Sequence, residues 1–115
     1  MDVPAIDRAT FTELQDAAGA EFVAELVDTF LEDAPALLAE LRSARATADA
    51  DSFRRAAHSL KSNSQTFGAT ALGTLARALE LNGLNADAPS DMAAIEAIDN
   101  AYAQAAAELK GLRHG

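Results

Sequence analysis

The chain has 115 residues, and its 18 acidic residues outnumber its 9 Lys and Arg residues, which gives a formal net charge of −9. A duplex-binding protein neutralises several phosphates with basic side chains, so this charge argues against nucleic acid as a ligand, and it argues against anionic membrane surfaces as well. The chain has no cysteine, which excludes disulfide scaffolds, thiolate metal sites and cysteine nucleophiles.

Length and composition predict a single globular domain over residues 1–115. Half of the residues are apolar and 23% are charged, a balance typical of folded chains. The acidic N-terminal segment is too polar for a signal peptide, and no apolar run reaches the roughly 18 residues of a membrane span. We therefore expect a cytoplasmic protein, and Met1 with the polar chain ends leads us to expect a free-standing one.

The composition also predicts an all-helical fold. Alanine, the strongest helix former, is abundant, and no segment shows sustained period-2 alternation. A short first helix is predicted over about 11–17, with Thr10 and Glu13 forming a capping box and Gly19 at its end.

A long second helix is predicted over about 20–47. Its apolar residues recur at helical spacing: Phe22, Leu26, Phe30, Leu37 and Leu41, widened by Val23, Val27, Ala34 and Leu38. Pro35 lies in the middle, where proline removes a backbone donor and clashes with the preceding turn. One kinked helix and two abutting helices both fit this pattern.

The third and fourth helices are predicted over about 50–67 and 70–83. Asp49 or Asp51 caps the third helix, and Gly68 ends it. The fourth helix carries three leucines on one face: Leu72, Leu75 and Leu79.

The last helix follows a loop over 83–90, with Ser90 or Asp91 as its cap. It has the clearest helical spacing in the chain, through Ile95, Ile98, Tyr102, Ala105, Leu109 and Leu112. Short loops between long amphipathic helices predict antiparallel neighbours. We therefore expect an up-and-down antiparallel four-helix bundle with a short extra N-terminal helix, and a monomer, because this last apolar face is satisfied inside the bundle.

The two histidines of the chain have different settings. His114 lies next to the C-terminus and is interpreted as part of a frayed tail. His58 lies in the third helix and points roughly 140° to 150° away from that helix's apolar stripe at about 100° per residue, so it should face solvent. That stripe comprises Phe53, Ala57, Leu60, Ser64 and Phe67.

Basic and small polar residues surround His58 on its helix face. Cations beside an imidazole favour its neutral form, whose lone pair makes it a nucleophile, and they would also stabilise an attached phosphoryl group. With no carboxylate one turn away, this histidine suits phosphoryl transfer better than hydrolysis; an ordinary solvated helix face is the alternative. The surrounding residues are Arg54, Arg55, Ser59, Lys61, Ser62 and Gln65.

The segment AHSLKSNSQTFGA at residues 57–69 closely resembles the signature of the histidine-containing phosphotransfer (HPt) domains of bacterial phosphorelays, roughly A-H-[ST]-L-K-[GS]-x(5)-G-A. The leucine-spaced helix that follows ends near Glu80, as in the family. Upstream, the family's F-x(4)-P-x-x-L-x-x-L pattern is matched by Phe30, Pro35, Leu38 and Leu41. The likeness spans about 20–84.

The resemblance implies roles for individual residues. His58 would be phosphorylated on the ring nitrogen farther from the backbone, Lys61 would contact the phosphoryl oxygens, and Gly68 would end the phosphorylated helix. Ser62 stands where the family often has glycine, and its hydroxyl could bond a phosphoryl oxygen. Residues expected to dock a partner are Arg54, Arg55, Ser59 and Gln65.

The resemblance further implies a phosphorelay intermediate that takes a phosphoryl group from a receiver-domain aspartate and passes it to another receiver. Its partners would be response-regulator receiver domains and a hybrid sensor histidine kinase. The chain would need no cofactor, because Mg²⁺ is expected on the receiver. It would not be an enzyme, since no length remains for an ATP-binding domain.

The alternatives to this function are a helical adaptor, a nucleotide-binding enzyme and a metal enzyme. A helical adaptor that binds signalling proteins without phosphorylation is the main alternative. The spacing of Gly68 and Gly73 matches part of a phosphate-binding loop, but the lysine that should follow the second glycine is missing. His58 has no second histidine or carboxylate at helical spacing with which to share a metal, so no metal site is expected.

Overall fold

A computed structural model describes residues 5–84 and 88–113 of the chain. Within these residues the backbone forms five helices and no strand, which confirms the all-helical prediction. The helices are α1 (Arg8–Ala18), α2 (Ala20–Thr47), α3 (Ala50–Thr66), α4 (Thr70–Asn82) and α5 (Ala88–Arg113). His114 lies outside the described residues.

The four longer helices pack around a shared core. Helix α3 packs against α2 and α4, and α5 packs against the same two helices. Over the described residues no Cα atom of α3 lies within 8 Å of one in α5, so these two helices lie on opposite sides of the core. Helix α1 lies against α2 and α3.

The core is built from the apolar faces that the helical spacing predicts. In α5, Ile95, Ile98 and Leu109 are fully buried, as the sequence pattern indicates. The ring of Phe30 lies 5.4 Å from that of Phe67 and 5.9 Å from that of Tyr102, measured between centroids. These tilted and edge-on contacts add to the hydrophobic burial and join α2, α5 and the end of α3.

Helix α2 runs without a break through Pro35, so the interpretation as two abutting helices is wrong. The predicted apolar face is also displaced by one residue at its start. Phe22 is 52% exposed, whereas Val23 and Val27 are fully buried. Neighbouring residues on a helix are separated by about 100°, so Phe22 falls outside the buried face that Val23 begins.

Helix α1 begins three residues earlier than its sequence pattern suggests, and its cap is Asp7 rather than Thr10. The Asp7 carboxylate accepts the Ala9 N–H at 3.2 Å and the Thr10 hydroxyl at 2.8 Å. Thr10 therefore lies inside the first turn, where its hydroxyl holds the capping carboxylate in place. Gly19 ends the helix with φ 94°, as predicted.

Helix α5 also begins before its predicted start. Pro89 and Ser90 lie in its first turn, where proline loses no intrahelical hydrogen bond, so the cap at Ser90 or Asp91 is wrong. Asp91 is instead buried, with one carboxylate oxygen 3.2 Å from Nε of Arg45 on α2. Part of the predicted loop, residues 85–87, lies outside the described residues.

The end of α2 and the start of α3 are joined by a tight turn of two residues, Ala48 and Asp49. Asp49 caps α3 as predicted, because its carboxylate accepts the Ser52 N–H at 3.1 Å and the Ser52 hydroxyl at 2.7 Å. These bonds, led by the Ser52 hydroxyl, lower the pKa of Asp49 below its usual value. The preceding residue, Ala48, adopts a left-handed conformation with φ 56° and ψ 37°.

We expect Ala48→Gly to raise the free energy of unfolding by about 1 kcal/mol. Removing the Cβ relieves roughly 1–2 kcal/mol of left-handed strain in the folded state. The greater conformational freedom of glycine in the unfolded chain offsets roughly 0.4–1 kcal/mol of this gain. Urea unfolding followed by circular dichroism measures the change. Ala46→Gly is the control, since Ala46 lies inside α2 and glycine there should cost about 0.5–1 kcal/mol. Equal losses for both variants would contradict the prediction.

Candidate functional site

His58 lies on the outer face of α3. The opposite face of this helix is buried and includes Phe53, Ala57 and Leu60. The His58 side chain is 56% exposed, which confirms that it points away from the core. The fold therefore holds the backbone of His58 rigidly while leaving part of its ring open to a partner.

A carboxylate from the neighbouring helix contacts the imidazole. Nδ1 of His58 lies 2.5 Å from Oε2 of Glu80 on α4. The interpretation of His58 as a histidine without an orienting carboxylate is therefore wrong. That interpretation rested only on residues one turn from His58 on α3, whereas Glu80 lies 22 residues after His58 in the sequence. The available signal was the family-like glutamate at the end of α4.

Glu80 also holds Lys61, so one carboxylate joins both residues. Nζ of Lys61 lies 2.9 Å from Oε1 of Glu80, and both side chains are 20% exposed. The hydrogen bond from Lys61, followed by that from His58, lowers the pKa of Glu80 below its usual range. Glu80 is therefore ionised near neutral pH.

The ionised carboxylate determines the tautomer of His58. A carboxylate without a proton can only accept hydrogen bonds, so Nδ1 must carry the hydrogen in its contact with Glu80. In the neutral ring the other nitrogen, Nε2, then holds the lone pair. This is the nitrogen farther from the backbone, and it is the one that can act as a nucleophile.

The two arginines before His58 do not form the free positive patch that the sequence suggests. Both pair with Asp51 in the first turn of α3: Arg54 Nη2 lies 3.5 Å and Arg55 Nη2 3.0 Å from its carboxylate oxygens. These pairs are exposed at the surface, so they contribute little to stability. The local positive charge around His58 is smaller than the sequence window indicates, since Lys61 is paired as well.

The other predicted site residues fall on two sides of α3. Ser59 and Ser62 line a groove between α2 and α3 together with His58. Gln65 instead lines a cleft between α3 and α4. The structure thus brings the two serines beside His58 and places Gln65 in a separate depression on the other flank of the helix.

Gly68 lies two residues after the end of α3 at Thr66 and has φ 76°, in agreement with its predicted role at the helix end. Its position also serves a second purpose that the sequence did not indicate. The Asp7 N–H donates a hydrogen bond of 2.7 Å to its carbonyl, and a Cβ at this position would lie 2.9 Å from the Asp7 carbonyl oxygen. Gly68 therefore allows the start of α1 to pack directly on the turn between α3 and α4.

The described residues contain neither a metal-binding cluster nor a membrane-spanning helix. Within residues 5–84 and 88–113, no group of three or more His, Asp or Glu side chains is arranged to hold a metal ion. None of the helices in that part of the chain is long and apolar enough to cross a membrane.

Comparison with known proteins identifies a matching family and a related structure. The family model of the Hpt domain matches residues 25–108. Among solved structures, the chain is similar to histidine-containing phosphotransfer protein B (HptB) from Pseudomonas aeruginosa PAO1, with 28% sequence identity and a TM-score of 0.82 over 98% of this chain and 97% of that chain. No curated protein sequence matches. The extent of the family match shows that this chain belongs to the Hpt domain family.

Proposed function

We propose that this chain is a phosphorelay intermediate that accepts a phosphoryl group on Nε2 of His58 from a receiver-domain aspartate and passes it to another receiver. Membership of the Hpt family gives the chain a histidine phosphotransfer role. The observation that supports the particular residue is the contact between His58 Nδ1 and Glu80. It leaves the lone pair on Nε2 of a side chain that is half exposed.

The transfer step follows from this arrangement. Nε2 attacks the phosphorus of the aspartyl phosphate, a P–N bond forms, the P–O bond breaks, and the receiver's aspartate leaves as a carboxylate. The ring then carries a positive charge with its hydrogen still on Nδ1, and the Glu80 carboxylate balances that charge. The same charge makes the imidazole a good leaving group, so the group can pass on to a second aspartate.

Two residues on α3 are proposed to stabilise the phosphoryl group. The ammonium of Lys61 is already held near the ring by Glu80, and charge-assisted bonds to phosphoryl oxygens are stronger than neutral ones. Ser62 lines the same groove as His58, and its hydroxyl can donate a further hydrogen bond. Neither contribution requires a metal on this chain, and we propose that the receiver supplies the Mg²⁺.

We further propose how the chain takes part in the relay. Arg54, Arg55, Ser59 and Gln65 would contact docked receiver domains, and a hybrid sensor histidine kinase would supply phosphate at the start of the relay. The chain would act in the cytoplasm as a monomeric single domain over residues 1–115, with α2 to α5 as an up-and-down antiparallel bundle. It would be an intermediate and not an enzyme, because the partner's site would supply the catalysis.

Labelling separates this function from that of an adaptor that binds signalling proteins without phosphorylation. Receiver domains labelled on aspartate are mixed with the purified chain in the presence of Mg²⁺, and binding is measured in parallel. We expect label on the chain that is lost in acid and stable in alkali, as for a phosphoramidate. A receiver that binds without transferring label, across a panel that includes a phosphorylated hybrid-kinase receiver, would favour the adaptor.

We expect Glu80→Gln to slow phosphoryl transfer by about tenfold. The neutral amide can hold either tautomer of His58 and cannot balance the ring charge, and a hydrogen bond to a charged group contributes about 1.5–3 kcal/mol. Stopped-flow transfer measures the rate, and nitrogen NMR of His58 reports the tautomer. Glu96→Gln is the control, because Glu96 lies on α5, which does not contact α3. A normal rate with a mixed tautomer would contradict the role of Glu80.

A further inference from the structure

The two flanks of α3 differ in charge. On the α2 side, Asp33 and Glu40 line the groove that contains His58. On the α4 side, the cleft that contains Gln65 has a volume of about 250 Å³ and is lined by threonine, glycine, Gln65 and Arg77. None of the described residues lining this second cleft is acidic, which is notable in a chain of net charge −9.

Arg77 differs from the other arginines whose side chains the structure describes. Five of them lie within reach of a carboxylate: Arg8, Arg42, Arg45, Arg54 and Arg55. Arg77 is exposed on α4 and has no ion pair among the side chains that the structure describes. Its charge is therefore available to a partner at no cost in broken salt bridges.

The Arg77 cleft adjoins the phosphotransfer site. Arg77 lies three residues before Glu80 on α4, and Gln65 lies four residues after Lys61 on α3. Residues at these spacings share a helix face, so the cleft begins about one turn from the bridge between Lys61 and Glu80. The two helices pack closely here, since a Cβ at Gly73 would lie at an ordinary contact distance of 3.6 Å from Gln65 Cγ.

We propose that Arg77 anchors the receiver domain by binding an acidic rim beside its phosphorylated aspartate, so that the receiver sits over the α3–α4 cleft with its negative side away from α2. This rests on the proposed function, in which the approaching donor is an anionic acyl phosphate. Such a surface is attracted by an unpaired guanidinium and repelled by Asp33 and Glu40. Gln65 and Thr74, which line the same cleft, can donate further hydrogen bonds to the partner's carboxylates.

Transfer kinetics with the receiver that labels the wild-type chain fastest test the anchor. We expect Arg77→Glu to raise the half-saturating receiver concentration about tenfold with the maximal transfer rate changed less than about twofold, because a charge at the rim of an interface acts mainly on association. The increase should shrink at about 0.5 M NaCl, where screening is strong. Arg77→Gln, which places no new carboxylate beside Glu80, should give a smaller increase in the same direction.

Lys110→Glu is the matched control. Lys110 is also exposed, but it lies on α5, which does not contact α3, and the substitution changes the net charge by the same amount. The anchor would be overturned if Lys110→Glu raised the half-saturating receiver concentration as much as Arg77→Glu does, or if Arg77→Glu left it unchanged. Failure of the proposed function is distinguishable, because either the wild-type chain would then take up no label from any receiver or His58→Gln would still take it up, whatever the behaviour of Arg77.

Discussion

His58→Gln should abolish phosphoryl uptake and leave the fold unchanged. Glutamine has no ring nitrogen to form the P–N bond, so no label should appear on the chain from any receiver that labels the wild type. The His58 side chain is 56% exposed and makes no part of the core, and exposed ion pairs contribute at most about 1 kcal/mol. The free energy of unfolding should therefore change by less than about 1 kcal/mol, as measured by urea titration.

His114→Gln provides the matched control, because it makes the same chemical change at the second histidine of the chain. It should take up label at the wild-type rate, and the label should remain sensitive to acid. Label retained by His58→Gln, or lost from His114→Gln, would show that the phosphorylated residue has been assigned wrongly.

Gly68→Ala should lower the free energy of unfolding by about 2–5 kcal/mol. The left-handed backbone, with φ 76°, costs a residue with a Cβ roughly 1–2 kcal/mol. The added methyl would also lie 2.9 Å from the Asp7 carbonyl and 3.0 Å from Thr10 Cβ, and overpacking costs roughly 1–3 kcal/mol more. The start of α1 would have to move away from the turn between α3 and α4.

Two other glycines separate the causes of this loss. An added Cβ meets nothing within 4 Å at Gly83, which has φ 66°, or at Gly111. Gly83 has φ 66° and ψ −164°, a conformation that essentially only glycine adopts, so Gly83→Ala should cost a backbone contribution alone of roughly 1–3 kcal/mol. Gly111→Ala lies inside α5 and should stabilise the protein by about 0.5–1 kcal/mol. A loss at Gly68 below about 2 kcal/mol, within the left-handed backbone contribution alone, would rule out the contact with Asp7 as a cause.

The parts of the fold that depend on local spacing could be predicted from the sequence. Five helices, the cap at Asp49, the helix end at Gly19 and the outward direction of His58 all follow from residues within one or two turns. The start of α1 was misplaced because Asp7 and Thr10 are both good caps and only their mutual hydrogen bond decides between them. Phe22 was misplaced because the apolar stripe of α2 is wide enough to fit two registers.

The parts of the site that depend on packing between helices could not be predicted in this way. Glu80 reaches His58 only because α4 lies against α3, and the contact of Gly68 with Asp7 joins residues far apart in sequence. The pairing of Arg54 and Arg55 with Asp51 is different, since its spacing of three and four residues was visible in the sequence. There the helix-pair rule would have predicted the neutralised charge.

Helix α3 has the core on one side and His58 on the other, and this division affects how the protein can change. Substitutions on the inner face of α3 lower the free energy of unfolding. Substitutions at Ser59 or Gln65 on α3, or at Arg77 on α4, change exposed side chains that touch almost nothing in the core. A duplicated copy could therefore acquire a new set of receivers through a few surface changes while keeping its nucleophile and its fold. Insulating one signalling pathway from another would then be a matter of outer-face side chains alone.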